Sequence, residues 1–190
     1  TVCETLEMPN RVLMDCPENR YKLAEILRRY KPRILVGMAG RTVAASPDHY
    51  QAQLITEAAR FYSQLTKWDD RFGGTAPHRM DHLMYRVVPM AAEPSFFPTK
   101  LVVDITGTIE KKLAAVRAYR SQFDEKRMPG VEHMIRSVAG FEGAMAGYRY
   151  GEAYALPRPL GVSDLVAAVG DWAPPPPFDP KAPPRANSTD

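Results

Sequence analysis

With 190 residues, 45% of them hydrophobic and 9% aromatic, the chain can bury the core of one ordinary domain. Its 25 Lys and Arg exceed its 22 Asp and Glu by a formal +3, and the basic residues are spread along helical segments, so nothing points to a nucleic-acid partner. No signal-peptide pattern and no apolar run of membrane-spanning length occurs, and Cys3 and Cys16 form neither a metal-binding pair nor a disulfide framework; the expectation is a reducing cytoplasm, with each cysteine a small buried hydrophobe.

The first helix follows Asp15-Cys16-Pro17-Glu18, which resembles a capping box with Asp15 as N-cap; Leu23, Ile26, Leu27 and Tyr30 share its face, and it ends before Pro32. Arg28, Arg29, Lys31 and Arg33 crowd its end, where cations complement the helix dipole. The run 33–38 is nearly all apolar, as a parallel strand covered on both faces should be. After a small, polar connection over 39–46, a helix spans 48–65 with Tyr50, Leu54, Ile55, Ala58, Phe61, Tyr62 and Leu65 on its buried face. A loop rich in Gly, Pro and charge over 66–81 precedes a second strand at 82–88, and a proline-bearing loop leads to a third at 101–106. Thr106 caps a helix with Ile109, Leu113, Val116, Tyr119 and Phe123 on one face. A last helix covers 131–148, where Gly140, Gly143 and Gly147 permit close packing. Residues 1–170 read as the domain and the proline-rich 171–190 as a disordered or polyproline-like tail. Three strands and an irregular opening at Thr1 are few for a parallel sheet, so the expectation is the later portion of a longer fold.

The feature with most chemistry is Ser46-Pro47-Asp48-His49, between the first strand and the second helix. Ligands of open α/β sheets bind outside the carboxyl ends of the strands, so Asp48 and His49 stand where they could hold a metal. The same residues also make an ordinary helix start: serine accepts from orphan N–H groups, proline suits the first turn, and aspartate complements the dipole.

The stretches 6–11, Pro47-Asp48-His49, Val103-Asp104-Ile105-Thr106, 118–123 and Gly147-Tyr148-Arg149-Tyr150-Gly151-Glu152 carry a resemblance. In order and spacing they resemble the LmbE-like, or PIG-L, family of zinc-dependent N-deacetylases, nearest the bacillithiol-pathway branch, over about 6–165. The resemblance implies a Rossmann-like three-layer α/β fold with a mainly parallel sheet, and a hydrolase that removes acetyl from an N-acetylglucosaminyl glycoside or glycolipid. It implies zinc held by a histidine and an aspartate of an early Ala-His-Pro-Asp-Asp motif and by the last histidine of a His-Pro-Asp-His motif, which is His49 in this chain. Such a site leaves one position for a water of lowered pKa, with a second aspartate of the early motif as base. The early motif does not occur in these 190 residues, so the zinc ligand set is incomplete and the chain alone is expected to be inactive. The first histidine of the later motif, expected to stabilise the tetrahedral intermediate with Asp48 as partner, is Ser46. A hydroxyl donates a hydrogen bond but brings no positive charge to an oxyanion, and losing such a group costs on the order of 10² to 10³ in rate.

Other residues have two readings each. Asp104 lines the crevice or caps the next helix; Gln122 contacts substrate or a neighbouring subunit, or is a solvated helix-end residue; Glu152 completes helix-end packing with Arg149 or touches substrate. His78 and His82 are four apart but sit in a loop pattern, and His133 reads as a surface residue. Gly37-Met38-Ala39-Gly40 lacks the third glycine and the later acid of a dinucleotide-binding turn. Expected partners are therefore a small N-acetylglucosaminyl substrate, with assembly of several copies left open. The rival reading is a non-catalytic binding or assembly protein on the same scaffold.

Overall fold

The computed structural model describes residues 2–39, 41, 45–87 and 99–169; the proline-rich tail lies outside them. They belong to two compact units, one built from residues 1–99 with 155–159 and the other from 100–154 with 160–190. No helix among the described residues is long and apolar enough to cross a membrane.

In the first unit, α1 (Pro17–Tyr30) starts at a proline, whose missing N–H costs nothing in a first turn. Its N-cap is Cys16, because Asp15 is drawn instead into a two-point ion pair with Arg20, at 2.6 and 2.5 Å. Lys31, left-handed at φ 49, donates its N–H to Leu27 O at 3.0 Å and closes the helix ahead of Pro32. Cys3 is exposed and Cys16 half-buried, so the expectation of two buried thiols fails.

β1 (Ile34–Ala39) and β2 (His82–Val87) pair in parallel, Ile34 opposite His82 and Ala39 opposite Val87. β2 is also flanked by β4 (Gly151–Leu156), whose Ala155 packs with Ala39 and Tyr85. The apolar run of β1 predicts cover on both faces, and only one is covered. Leu35 packs against the cluster of Ala24, Leu27, Ala59, Phe72 and Met80, but Ile34 and Val36, on the opposite face of this edge strand, are 49% and 50% exposed.

α2 (Asp48–Ser63) lies against β1 so closely that a Cβ on Gly37 would stand 3.1 Å from Thr56 Cγ2. That approach selects a slim contact line, Ile55, Ala59 and Ser63 at four-residue spacing, with Tyr62 beside it. Phe61 and Tyr50, expected on the buried face, are turned outward at 56% and 39% exposure. Gly37 is thus a packing glycine inside a strand, and no phosphate-binding turn.

Arg28 also departs from expectation. It is fully buried, and its guanidinium donates to Ser63 O at 3.0 Å, Thr75 O at 2.6 Å, Asp69 Oδ1 at 2.7 Å and Leu65 O, while lying 4.2 Å from the Phe72 ring centroid. One side chain so closes the 65–75 loop, including its 3-10 turn Asp69–Phe72, onto α1. Tyr21, Tyr62, Trp68 and Phe72 stack and cross edge to face around it. His78 is structural as well: its Nε2 lies 2.7 Å from Pro32 O, which can only accept.

In the second unit, β3 (Thr99–Asp104) neighbours β4, and α3 (Ile109–Arg117) packs on α4 (Met128–Met145) through Ile109, Leu113 and Ala139. A short α5 (Leu165–Val169) follows. The N-cap of α3 is Thr108, not Thr106; Thr106 instead bridges to Tyr150, its Oγ1 accepting Tyr150 N–H at 3.2 Å. Tyr119 lies beyond the end of α3 and is 64% exposed, so it is not part of a buried face. The fourth strand, β4, is an element that the sequence pattern does not predict. It sits against α4 where two glycines meet: a Cβ on Gly143 would lie 2.7 Å from Gly151 N and from Tyr150 C. Gly147 ends the helix at φ 80, whereas Gly140 faces open space. Glu152, on β4, pairs with Lys112 at 2.5 Å and accepts from Tyr154 OH at 2.7 Å.

Candidate functional site

β1 delivers the chain to Ser46 at the carboxyl end of the parallel pair, and α2 turns back from there. At this corner the Asp48 N–H donates to Ser46 Oγ at 3.3 Å and the His49 N–H to Ser46 O at 3.3 Å. The helix N-cap is Pro47; the serine acts one residue earlier, as the acceptor that starts the turn.

The Asp48 carboxylate does something that no local pattern announces. Its Oδ2 accepts the N–H of Arg11 at 2.6 Å and its Oδ1 the N–H of Leu13 at 3.3 Å. One turn on, Gln51 Oε1 accepts the N–H of Asp15 at 2.7 Å. The 11–15 segment is thereby strapped to the first turn of α2, and Arg11 is held at φ 69, a conformation unfavourable for a residue with a side chain. Ser46 thus meets the backbone of Asp48, and the Asp48 carboxylate accepts from two backbone amides of the 11–15 segment.

Ser46, Asp48 and His49, all half-buried, are brought together in the first unit. Asp104 and Gln122 belong to the second unit. There Asp104 Oδ1 accepts the Thr106 N–H at 2.8 Å, which shapes the turn before α3 while the N-cap of that helix is Thr108, and Gln122 is exposed, its N–H donating to Tyr119 O at 3.0 Å.

A catalytic zinc needs about three protein ligands around one open position. Among the described residues no group of three or more His, Cys, Asp or Glu stands close enough to hold an ion, and each Asp48 oxygen accepts a backbone N–H. The described residues offer His49 but not a complete donor set, so these side chains do not by themselves fit a catalytic zinc.

No protein-family model matches the chain. A curated diacetylchitobiose deacetylase of Thermococcus kodakarensis is 29% identical over 138 residues, 71% of this chain and 49% of that protein. The N,N′-diacetylchitobiose deacetylase of Pyrococcus horikoshii superposes with a TM-score of 0.64 at 26% identity, covering 77% of this chain and 54% of that one. The chain shares the fold of these deacetylases. It spans about half of their length. A conserved protein of Thermus thermophilus superposes at 0.68 with 29% identity, covering 84% of this chain and 67% of that one. The 4-carboxy-2-hydroxymuconate hydratase of Pseudomonas putida, 18% identical, reaches 0.63 over 86% of this chain and 68% of its own, so the fold also hosts a different reaction and does not by itself fix one.

Proposed function

We propose that the protein containing this chain is an N-deacetylase acting on N-acetylglucosamine-type saccharides, a reading carried by its similarity over 138 residues to a diacetylchitobiose deacetylase. The position of Asp48 and His49 at the carboxyl end of β1 supports it, because that is where open α/β sheets bind ligands. In this proposal His49 is the zinc ligand that the chain contributes, Ser46 is a neutral donor near the scissile amide, and Asp48 orders the adjoining 11–15 segment. Asp104 and Gln122 are proposed substrate-facing residues. A branch nearest the bacillithiol-pathway deacetylases and a reducing, cytoplasmic setting belong to the same proposal. The 190 residues by themselves are proposed to be inactive, since the early Ala-His-Pro-Asp-Asp motif does not occur in them.

The rival, a non-catalytic binding protein, is favoured by one observation: Ser46 places no cation where the deacetylase resemblance expects a histidine. The two are separated by assaying acetate release from N,N′-diacetylchitobiose by the full natural protein with zinc supplied. The deacetylase reading expects turnover that His49→Ala abolishes together with retained zinc, and that His78→Ala, a change at a structural histidine, leaves in place. Turnover and zinc retention indifferent to His49→Ala would remove His49 from the account. No acetate release from this disaccharide or other N-acetylglucosaminides would favour the binding protein.

A further inference from the structure

The first unit has a concavity far from the Ser46 to His49 corner. It is a cleft of about 380 Å³ lined by Glu57 and Arg60 of α2, by Asp81, His82 and Leu83 at the start of β2, and by 156–159 after β4. In the parallel register His82 lies opposite Ile34, at the amino end of the pair, whereas the candidate site follows Ala39 at the carboxyl end. Five strand steps put the two about 16 Å apart. The twelve helical steps from Asp48 to Arg60 give about 18 Å.

We propose that this cleft binds a small molecule through an oxyanion, a carboxylate or a phosphate, held between the guanidinium groups of Arg60 and Arg158. Two observations distinguish these arginines from the other cations of the unit. Arg60 lines the cleft, and its Nε–H, shielded from solvent, has no acceptor among the described residues, so the fold does not consume its guanidinium in a full set of internal bonds. Buried donors are normally paired, and one left unpaired in a native fold calls for an explanation. Arg158 stands between Pro157 and Pro159, whose fixed φ angles stiffen the backbone that carries it. Planar guanidinium forks match carboxylate and phosphate geometry.

Of the two acids of the cleft, Asp81 is paired with a cation outside it, whereas Glu57 takes neutral donors and so leaves one negative charge beside the two arginines. Asp81 is held by Arg33 at 2.9 Å, which keeps its carboxyl below the usual range, and Glu57 accepts from Tyr85 OH at 2.7 Å and from Gln53 at 2.9 Å. Leu83, Leu156 and the two prolines give the body of the small molecule an apolar surface.

The test is independent of the deacetylase reading, because its readout is binding. Inorganic phosphate and acetate are titrated separately into the full natural protein, followed by backbone amide NMR shifts. Saturable shifts centred on His82, Leu83 and Arg60, weakened about tenfold or more in both Arg60→Gln and Arg158→Gln and unchanged in His49→Ala, are the expected result. The tighter probe identifies the oxyanion. Arg158 is exposed, so its variant remains informative should Arg60→Gln disturb the fold. No saturation by either probe, saturation indifferent to Arg158→Gln, or shifts centred on His49 would overturn the proposal.

Discussion

Replacing Asp48 by alanine removes both acceptors of the strap that holds residues 11–13 to α2. A hydrogen bond to a charged group contributes about 1.5–3 kcal/mol, and the 2.6 Å bond from Arg11 belongs in that range, with the 3.3 Å bond from Leu13 at or below its low end. Against this stands the left-handed conformation of Arg11, which costs about 1–2 kcal/mol. The net stabilisation of the closed strap is then about 1–3 kcal/mol, a factor on the order of 10 to 100 in its equilibrium with the open segment. Native-state hydrogen exchange reads this directly: the Arg11 and Leu13 amides should lose roughly ten- to a hundredfold of their protection in Asp48→Ala. The Lys31 amide, bonded to Leu27 O within the α1 cap, should keep its own. Unchanged protection at Arg11 and Leu13 would refute the strap. A collapse of protection throughout the first unit would show that Asp48 supports the unit as a whole.

Arg28→Met should lower stability by about 3–5 kcal/mol in urea unfolding, because it strands buried carbonyls that the guanidinium serves, whereas Arg29→Met, with exposed partners Glu4 and Glu25, should cost at most about 1 kcal/mol; equal costs would contradict the assignment. Gly143→Ala should destabilise the second unit by about 1–3 kcal/mol despite alanine's better helix propensity, since its Cβ meets backbone at 2.7 Å, while Gly140→Ala, facing open space, should stabilise by up to about 1 kcal/mol; the same sign at both sites would be wrong for this packing. Burial, and then its bond to Glu57, raise Tyr85 above the ordinary phenol value. The stability this residue contributes is therefore whole below about pH 10 and is lost as pH rises beyond it. Unfolding midpoints should fall more steeply on that side in the wild type than in Tyr85→Phe; parallel curves would exclude Tyr85 as the cause.

The helices and strands legible in the sequence are those with a strong local signature. The apolar run at 34–38 and the proline that stops α1 are enough to locate β1 and the end of the helix before it. β4 escapes sequence reading because Gly151-Glu152-Ala153-Tyr154-Ala155 alternates weakly, and what fixes it is the meeting of Gly151 with Gly143, a contact between elements. The glycines on α4 are the available signal. Arg28 has a spacing signal: it lies four residues after Ala24 and beside Leu27, on the buried stripe of α1, yet its company of Arg29, Lys31 and Arg33 reads as a solvated helix end. At the candidate site, the place of Ser46 and His49 between strand and helix is legible. The strap is not, because Asp48 reaches its partners across 37 and 35 residues.

The central claim, that the protein containing this chain removes acetyl from an N-acetylglucosamine unit, is tested most directly by product analysis. The full natural protein is incubated with N,N′-diacetylchitobiose, and acetate and free primary amine are quantified together. The account predicts the two in equal amounts, rising with time and absent from His49→Ala. Acetate and amine that never exceed those of the enzyme-free control would contradict it.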